Sequence, residues 1–131
     1  MSSIFTKIIK GEIPSIKVHE DYQTLAIMDI NPIQPGQILV FPKREVGTIW
    51  DLDTSDYLAL MSTVQAAGRS LRKVFVEKAR IGVMVEGLEV TDHAHVKVFP
   101  FSTIEEYHAA PNEQARPTDQ QLKELAAKLA F

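Results

Sequence analysis

Apolar residues recur along this chain with two different periods, and the switches between them outline its elements. Ser3 is placed to cap a short helix in which Ile4, Phe5, Ile8 and Ile9 share one face, with Gly11 as a left-handed stop and Pro14 barring continuation. Ile16–His19 and Thr24–Met28 read as two strands joined by a turn at Glu20–Gln23. After a loop punctuated by Asn31-Pro32 and Pro35-Gly36, Gln37–Phe41 is a short apolar strand closed by Pro42, a run that predicts burial on both faces. The longest helical stretch starts at a cap near Asp53 or Thr54 and carries Leu58, Met61, Val64, Gln65, Gly68, Leu71, Val74 and Phe75 at three- and four-residue spacing. Two more strands, Ala79–Val85 and Ala94–Phe99, flank the polar segment Glu86-Gly87-Leu88-Glu89. Beyond Pro111 and Pro117, Thr118 with Gln121 forms a capping-box pattern ahead of a last helix striped by Leu122, Leu125, Ala126 and Leu129.

Five strands and two or three helices, not in strict alternation, predict an α+β fold: an antiparallel sheet with the long helix packed on one face. With 131 residues and no linker, repeat or low-complexity tract, the chain is expected to be a single domain over 1–131. Its core would span 3–101, with 102–131 as a C-terminal extension. A net charge of −3 and scattered basic residues give no footprint for nucleic acid, so no nucleic-acid partner is expected. The absence of cysteine excludes disulfides, thiol nucleophiles and Cys-based zinc sites. No stretch is long and apolar enough to span a membrane, and Met1–Pro14 lacks the continuous apolar region of a signal peptide. A cytoplasmic protein without a membrane partner is the expectation.

Candidate chemistry concentrates in His93-Ala-His-Val-Lys97. On a strand, a period of two directs His93, His95 and Lys97 to one face while Ala94, Val96 and Val98 enter the core. Two imidazoles and an ammonium on one surface suit an anionic ligand, and a neutral imidazole is a competent nucleophile towards phosphorus. A decorated edge strand would show the same alternation.

Four segments in order, Ser3-Ile-Phe-Thr-Lys-Ile-Ile-Lys-Gly-Glu-Ile-Pro14, Met28-Asp-Ile-Asn-Pro32, Pro35-Gly-Gln-Ile-Leu-Val40 and His93-Ala-His-Val-Lys-Val-Phe-Pro100, resemble the signature blocks of the histidine triad (HIT) family. The resemblance covers residues 3 to about 101. It implies a HIT-like fold with a five-stranded antiparallel sheet, a homodimer, and binding of a purine nucleotide or nucleotide conjugate. It also implies hydrolysis, phosphoramidase action or nucleotidyl transfer at the α-phosphate, with the middle histidine, here His95, forming a nucleotidyl-histidine. His93 would orient His95. Asp29 matches an aspartate that holds ribose hydroxyls, for which a turn residue is the competing reading. Ile27 and Ile30 fall where the family lines its base pocket, with plain core as the alternative.

Several positions depart from the family's pattern. The third triad position is Lys97, whose ammonium could neutralise a phosphate oxygen but cannot accept a hydrogen bond while protonated; tipping into solvent is its other reading. Gln37 replaces a histidine common after Pro-Gly, and its amide could meet a ribose or phosphate oxygen. Val85 stands where an asparagine usually reaches the phosphates, and Thr91 is the hydroxyl left in the segment before the triad. Glu89 and Asp92 would repel a polyphosphate and raise the pKa of His93. Many relatives hold structural zinc with cysteines at the positions of Ser3 and Thr6 and a histidine near Glu45; none is present, so no metal or cofactor is expected. Two function classes therefore compete: an enzyme working through His95, and a catalytically weak HIT domain that binds nucleotides or partners. A metal-binding cupin would need a carboxylate where Phe99-Pro100 stands and a nearly all-β pattern.

Overall fold

The computed structural model describes residues 2–87 and 89–131, so Leu88 of the polar connection lies outside the described residues. In chain order the elements are α1 (Ile4–Ile9), β1 (Lys17–Glu20), β2 (Thr24–Met28), β3 (Ile38–Pro42), α2 (Thr54–Val74), β4 (Arg80–Val85), β5 (Val96–Phe101), α3 (Ile104–Tyr107) and α4 (Asp119–Leu129). Short 3-10 turns stand at Ile49–Asp51 and Glu113–Ala115. The strands form one five-stranded antiparallel sheet in the order β1-β2-β3-β5-β4. The α+β architecture expected from the chain's patterning is therefore what it adopts.

Each sheet face has its own cover. Ala26, Met28, Ile38, Val40, Val96 and Val98 meet Leu60, Val64, Ala67 and Leu71 of α2 and Leu122, Ala126 and Leu129 of α4. The opposite face carries Leu25, Ile27 and Phe41, closed by Phe5 and Ile8 of α1. Phe5 stacks on Phe41 with ring centroids 4.4 Å apart. Burial on both faces of β3 follows from this double cover, since Ile38, Val40 and Phe41 are fully inaccessible.

The caps form where the sequence puts them. The Ser3 hydroxyl accepts from the Thr6 N–H, the Asp53 carboxylate from the Asp56 N–H, and Thr118 exchanges hydrogen bonds with Gln121 in a capping box. The phase of α2 differs from the expected stripe: Leu60, Val64, Ala67 and Leu71 point into the core, while Leu58 is 60% exposed and Gln65 faces outward. Thr63 explains the shift, because its hydroxyl is buried 2.8 Å from that of Thr24 on β2 and fixes which side of the helix meets the sheet. The last strand also starts later than expected, at Val96, so His93 and His95 lie in the irregular stretch that feeds it. Ala94 leaves the ladder because its N–H bonds instead to the Val46 carbonyl at 2.7 Å.

Among the described residues no helix is long and apolar enough to cross a membrane.

The turn between β1 and β2 is fixed by charge. Glu20, beside the Lys17 and Lys43 ammonium groups, is held down to about 2. Partial burial acts against ionisation of Asp21, yet His19 and the backbone N–H groups of Gln23 and Thr24 bring it to about 2 as well. Both carboxylates are thus more acidic folded than unfolded, so their stabilisation is present above the ordinary carboxylate range and is lost as pH falls towards 2. Urea midpoints are expected to drop between pH 4.5 and 2, and to drop less steeply in Asp21→Asn; an unchanged profile in that variant would contradict this account. Glycine matters where the backbone is left-handed. Gly36 has φ +91° and a Cβ there would sit 2.6 Å from the Phe75 ring, whereas Gly11, at φ +79°, faces open space. Gly36→Ala is expected to destabilise by roughly 2–4 kcal/mol and Gly11→Ala by about 1 kcal/mol, read from denaturant midpoints.

Candidate functional site

Cross-strand pairing brings the candidate residues onto the α1 face of the sheet. Lys97 on β5 is directly opposite Leu39 on β3 and Met84 on β4, and Leu39 is opposite Ile27 on β2. Opposed residues share a face, so Ile27, Leu39, Lys97 and Met84 form one row across the sheet. Two residues beyond Ile27 comes Asp29, whose N–H still pairs with the Gln37 carbonyl at 3.0 Å. Two residues before Lys97 comes His95, whose carbonyl accepts from the Glu86 N–H at 3.0 Å. The sheet therefore holds His95, Lys97 and Asp29 on one surface.

His93 is set apart from that surface. It is fully buried, edge-on to Phe5 and Phe41, with Nε2 2.7 Å from the Pro42 carbonyl and Nδ1 2.7 Å from the Ser3 hydroxyl. The expectation that all three polar groups of the pentad open towards a ligand is corrected here: the His93 ring is covered by Phe5 of α1 and both of its nitrogens are engaged within the protein. Its pKa is also lowered rather than raised. Burial disfavours the imidazolium, and this outweighs the pull of the Pro42 carbonyl, Glu45 and Asp92.

His95 is 2% exposed and leans on Phe5 at 5.3 Å. Its Nδ1 lies 3.0 Å from the His93 carbonyl, which can only accept, so Nδ1 carries a proton, and the lone pair of the neutral ring is the one on Nε2. Among the described residues Nε2 has no hydrogen-bond partner. Lys97 is mostly buried and reaches Glu89 at 3.3 Å. The Glu89 carboxyl is held below its ordinary range by its own backbone N–H and then by Lys97.

Asp29 accepts from the Asn31 N–H at 2.8 Å and from Gln37 Nε2 at 2.7 Å, so it acts as the turn residue and still keeps lone pairs for a ligand's hydroxyls. Gln37 is 1% exposed, and its amide oxygen accepts from the Ile33 N–H. The structure thus places Gln37 behind Asp29 as its support, with its amide committed within the protein. Ile27 is packed in the α1-side core, Ile30 is 58% exposed, and Thr91 is exposed with its carbonyl near Gly47. A cavity of about 520 Å³ between the β2–β3 loop and α4 shares Asp29 with this surface, but none of its other walls come from the histidines or Lys97.

Ser3, the expected helix cap, and Thr6 and Glu45, which stand where relatives carry zinc ligands, meet at His93. Glu45 accepts from the Ser3 N–H at 2.6 Å and from the Thr6 hydroxyl at 2.7 Å. These two donors, Ser3 first, hold its carboxyl at about 2. The donor set does not fit structural zinc, which takes thiolates and imidazoles: here two alcohols and both nitrogens of His93 are already engaged with one another and with Pro42. The one local signal for this cluster was the capping position of Ser3.

Comparison with known proteins agrees with the geometry. The chain is 35% identical over 104 residues to the adenosine 5'-monophosphoramidase hnt1 of Schizosaccharomyces pombe, covering 76% of this chain and 74% of that one. It is 30% identical over 100 residues to an adenylylsulfatase of Arabidopsis thaliana, of which it spans 51%. A Hit-like protein of Bartonella henselae superposes with a TM-score of 0.83 at 30% identity, over 98% of this chain and 93% of that one. The HIT domain model matches residues 10–104, and the chain belongs to the HIT domain family.

Proposed function

We propose that this protein is a nucleotide phosphoramidase, hydrolase or nucleotidyl transferase that works at the α-phosphate through His95. The observation that carries the reading is the anchoring of His95: Nδ1–H donates to the His93 carbonyl, which leaves Nε2 as the nitrogen available to phosphorus, two residues before Lys97 of β5. The relatives with named activities, the phosphoramidase and the adenylylsulfatase, support a nucleotide substrate.

In the first step Nε2 attacks the α-phosphorus and forms a P–N bond. The bond to the leaving group breaks, and that group departs with the electron pair and takes a proton from solvent. The imidazole becomes cationic as it is nucleotidylated, and its Nδ1–H bond to the His93 carbonyl becomes charge-assisted and stronger. In the second step water, or another acceptor, attacks phosphorus, the P–N bond to His95 breaks, and the acceptor's proton passes to solvent. Asp29, held by Gln37, takes the ribose hydroxyls, while the exposed Ile30 flanks the base and the exposed Thr91 hydroxyl is assigned to the phosphates. Lys97 stands at the third triad position in place of histidine, and its ammonium turns from Glu89 to the non-bridging oxygens as charge builds there.

A catalytically weak binding module is the second reading, favoured by one observation: Glu89 already neutralises the cation at the third position. Incubation with an adenosine phosphoramidate decides between them. A nucleotidyl adduct on His95 by mass spectrometry, with turnover falling roughly 10⁴-fold or more in His95→Ala, is expected for the enzyme; no adduct and no turnover across several nucleobases would leave the binding module. Asp29→Asn is expected to lower kcat/KM about 10- to 100-fold by weakening charge-assisted bonds to ribose.

The chain also works as a homodimer in this reading. Strand β4 ends the sheet, and on its α2 side Val83 and Val85 are 39% and 40% exposed. A second copy of this edge would cover an unpaired backbone and that apolar pair. Light scattering is expected to give a dimer for the native chain and a monomer for Val83→Lys/Val85→Lys; a monomeric native chain would refute the assembly.

A further inference from the structure

We propose that Ser3, the residue that caps α1, is a positioning residue: its hydroxyl holds His93 as the Nε2–H tautomer, and His93 in turn sets His95 with Nε2 free. Its catalytic half rests on the function proposed above. Its structural half does not.

The Pro42 carbonyl can only accept, so His93 Nε2, at 2.7 Å, carries a proton. Burial keeps His93 neutral, which leaves a lone pair on Nδ1. The group facing that lone pair is the Ser3 hydroxyl at 2.7 Å, with the Thr6 hydroxyl at 3.5 Å. The Thr6 proton is engaged by Glu45 at 2.7 Å, and Ser3 Oγ lies closer to His93 Nδ1, at 2.7 Å, than to Thr6 Oγ1, at 3.2 Å, so Ser3 is the donor to His93. Ser3 Oγ meanwhile accepts from the Thr6 N–H at 2.9 Å, and the Ser3 N–H is held by Glu45 at 2.6 Å. Glu45 thus fixes the Ser3 N–H and the Thr6 proton, and the shorter contact assigns the Ser3 hydroxyl proton to His93.

This arrangement bears on His95 because both histidines share parts. A ring pinned at both nitrogens fixes the His93 side chain and with it the peptide whose carbonyl receives His95 Nδ1–H at 3.0 Å. Phe5, two residues after Ser3 on the same helix, lies against both rings at 5.6 and 5.3 Å. Docking of α1 and orientation of the nucleophile are thus one event. Without the hydroxyl, Nδ1 of His93 is left with the Thr6 hydroxyl at 3.5 Å, whose proton Glu45 holds, so its two tautomers approach each other in energy and the Pro42 bond loosens.

Capping and positioning can be separated, because glycine is nearly as good an N-cap as serine but has no hydroxyl. Long-range proton–nitrogen NMR correlation of the native chain is expected to show His93 protonated at Nε2 and His95 at Nδ1. In Ser3→Gly the His93 nitrogens are expected to move towards a mixed-tautomer pattern, with kcat on an adenosine phosphoramidate falling roughly 10- to 100-fold and KM changing little. Ser3→Thr, which restores a hydroxyl, is expected to return both signatures. A native His93 that carries its proton on Nδ1, or a Ser3→Gly variant with native tautomers and native kcat, would overturn the proposal. The NMR arm needs no substrate, so it still decides the structural half should the native chain turn over no nucleotide.

Discussion

A fully buried imidazole is tolerable only if both of its nitrogens are satisfied, and the His93 ring is the point on which this structure turns. One nitrogen is met by the carbonyl that ends β3, the other by the hydroxyl that starts α1. The ring thereby joins the N-terminal helix to the end of a central strand, and its own backbone carries the bond that orients His95. Fold and candidate chemistry share this one junction. Phe5 and Phe41, stacked beside it, exclude water and make each of those hydrogen bonds matter more than it would at the surface.

The sheet converts local order into a site. Antiparallel register sets Ile27, Leu39, Lys97 and Met84 in line, and the same alternation carries His95 and Asp29 onto that face. Shifting β5 by one residue against β3 would exchange Lys97 for Val96 or Val98 and destroy the surface outright. That register is well defended. Val96 and Val98 are fully buried against α2, so a slip would force Lys97 into the larger core.

Much of this was legible in the sequence because the controlling interactions are local. The caps at Ser3, Asp53 and Thr118 are hydrogen bonds spanning three residues, and the continuous apolar run Ile38–Phe41 marks, by its own side chains, a strand covered on both faces. What sequence reading missed depends on partners far along the chain. Leu58 and Leu60 both fit a helical stripe, and only the meeting of Thr63 with Thr24 selects Leu60 for the core. The inward turn of His93 depends on Ser3 and Pro42, and the late start of β5 on a bond from Ala94 to Val46. Gln37 looked like a ligand contact because its amide is polar, whereas its burial beside Asp29 is a property of the folded loop.

Gln34, in the loop that follows Asp29, donates to the Glu106 carbonyl on α3, and Glu106 is salt-bridged to Lys78 ahead of β4. Phe99, Phe101 and Tyr107 pack together over Gly82, which leaves them room by having no side chain. The Asp29 end is therefore buttressed by residues after position 101, while the His95 end is buttressed by the first helix. Two separate stretches of sequence govern the two ends of one surface. Such a division means that a substitution after position 101 reshapes the Asp29 end while leaving the supports of His95 in place.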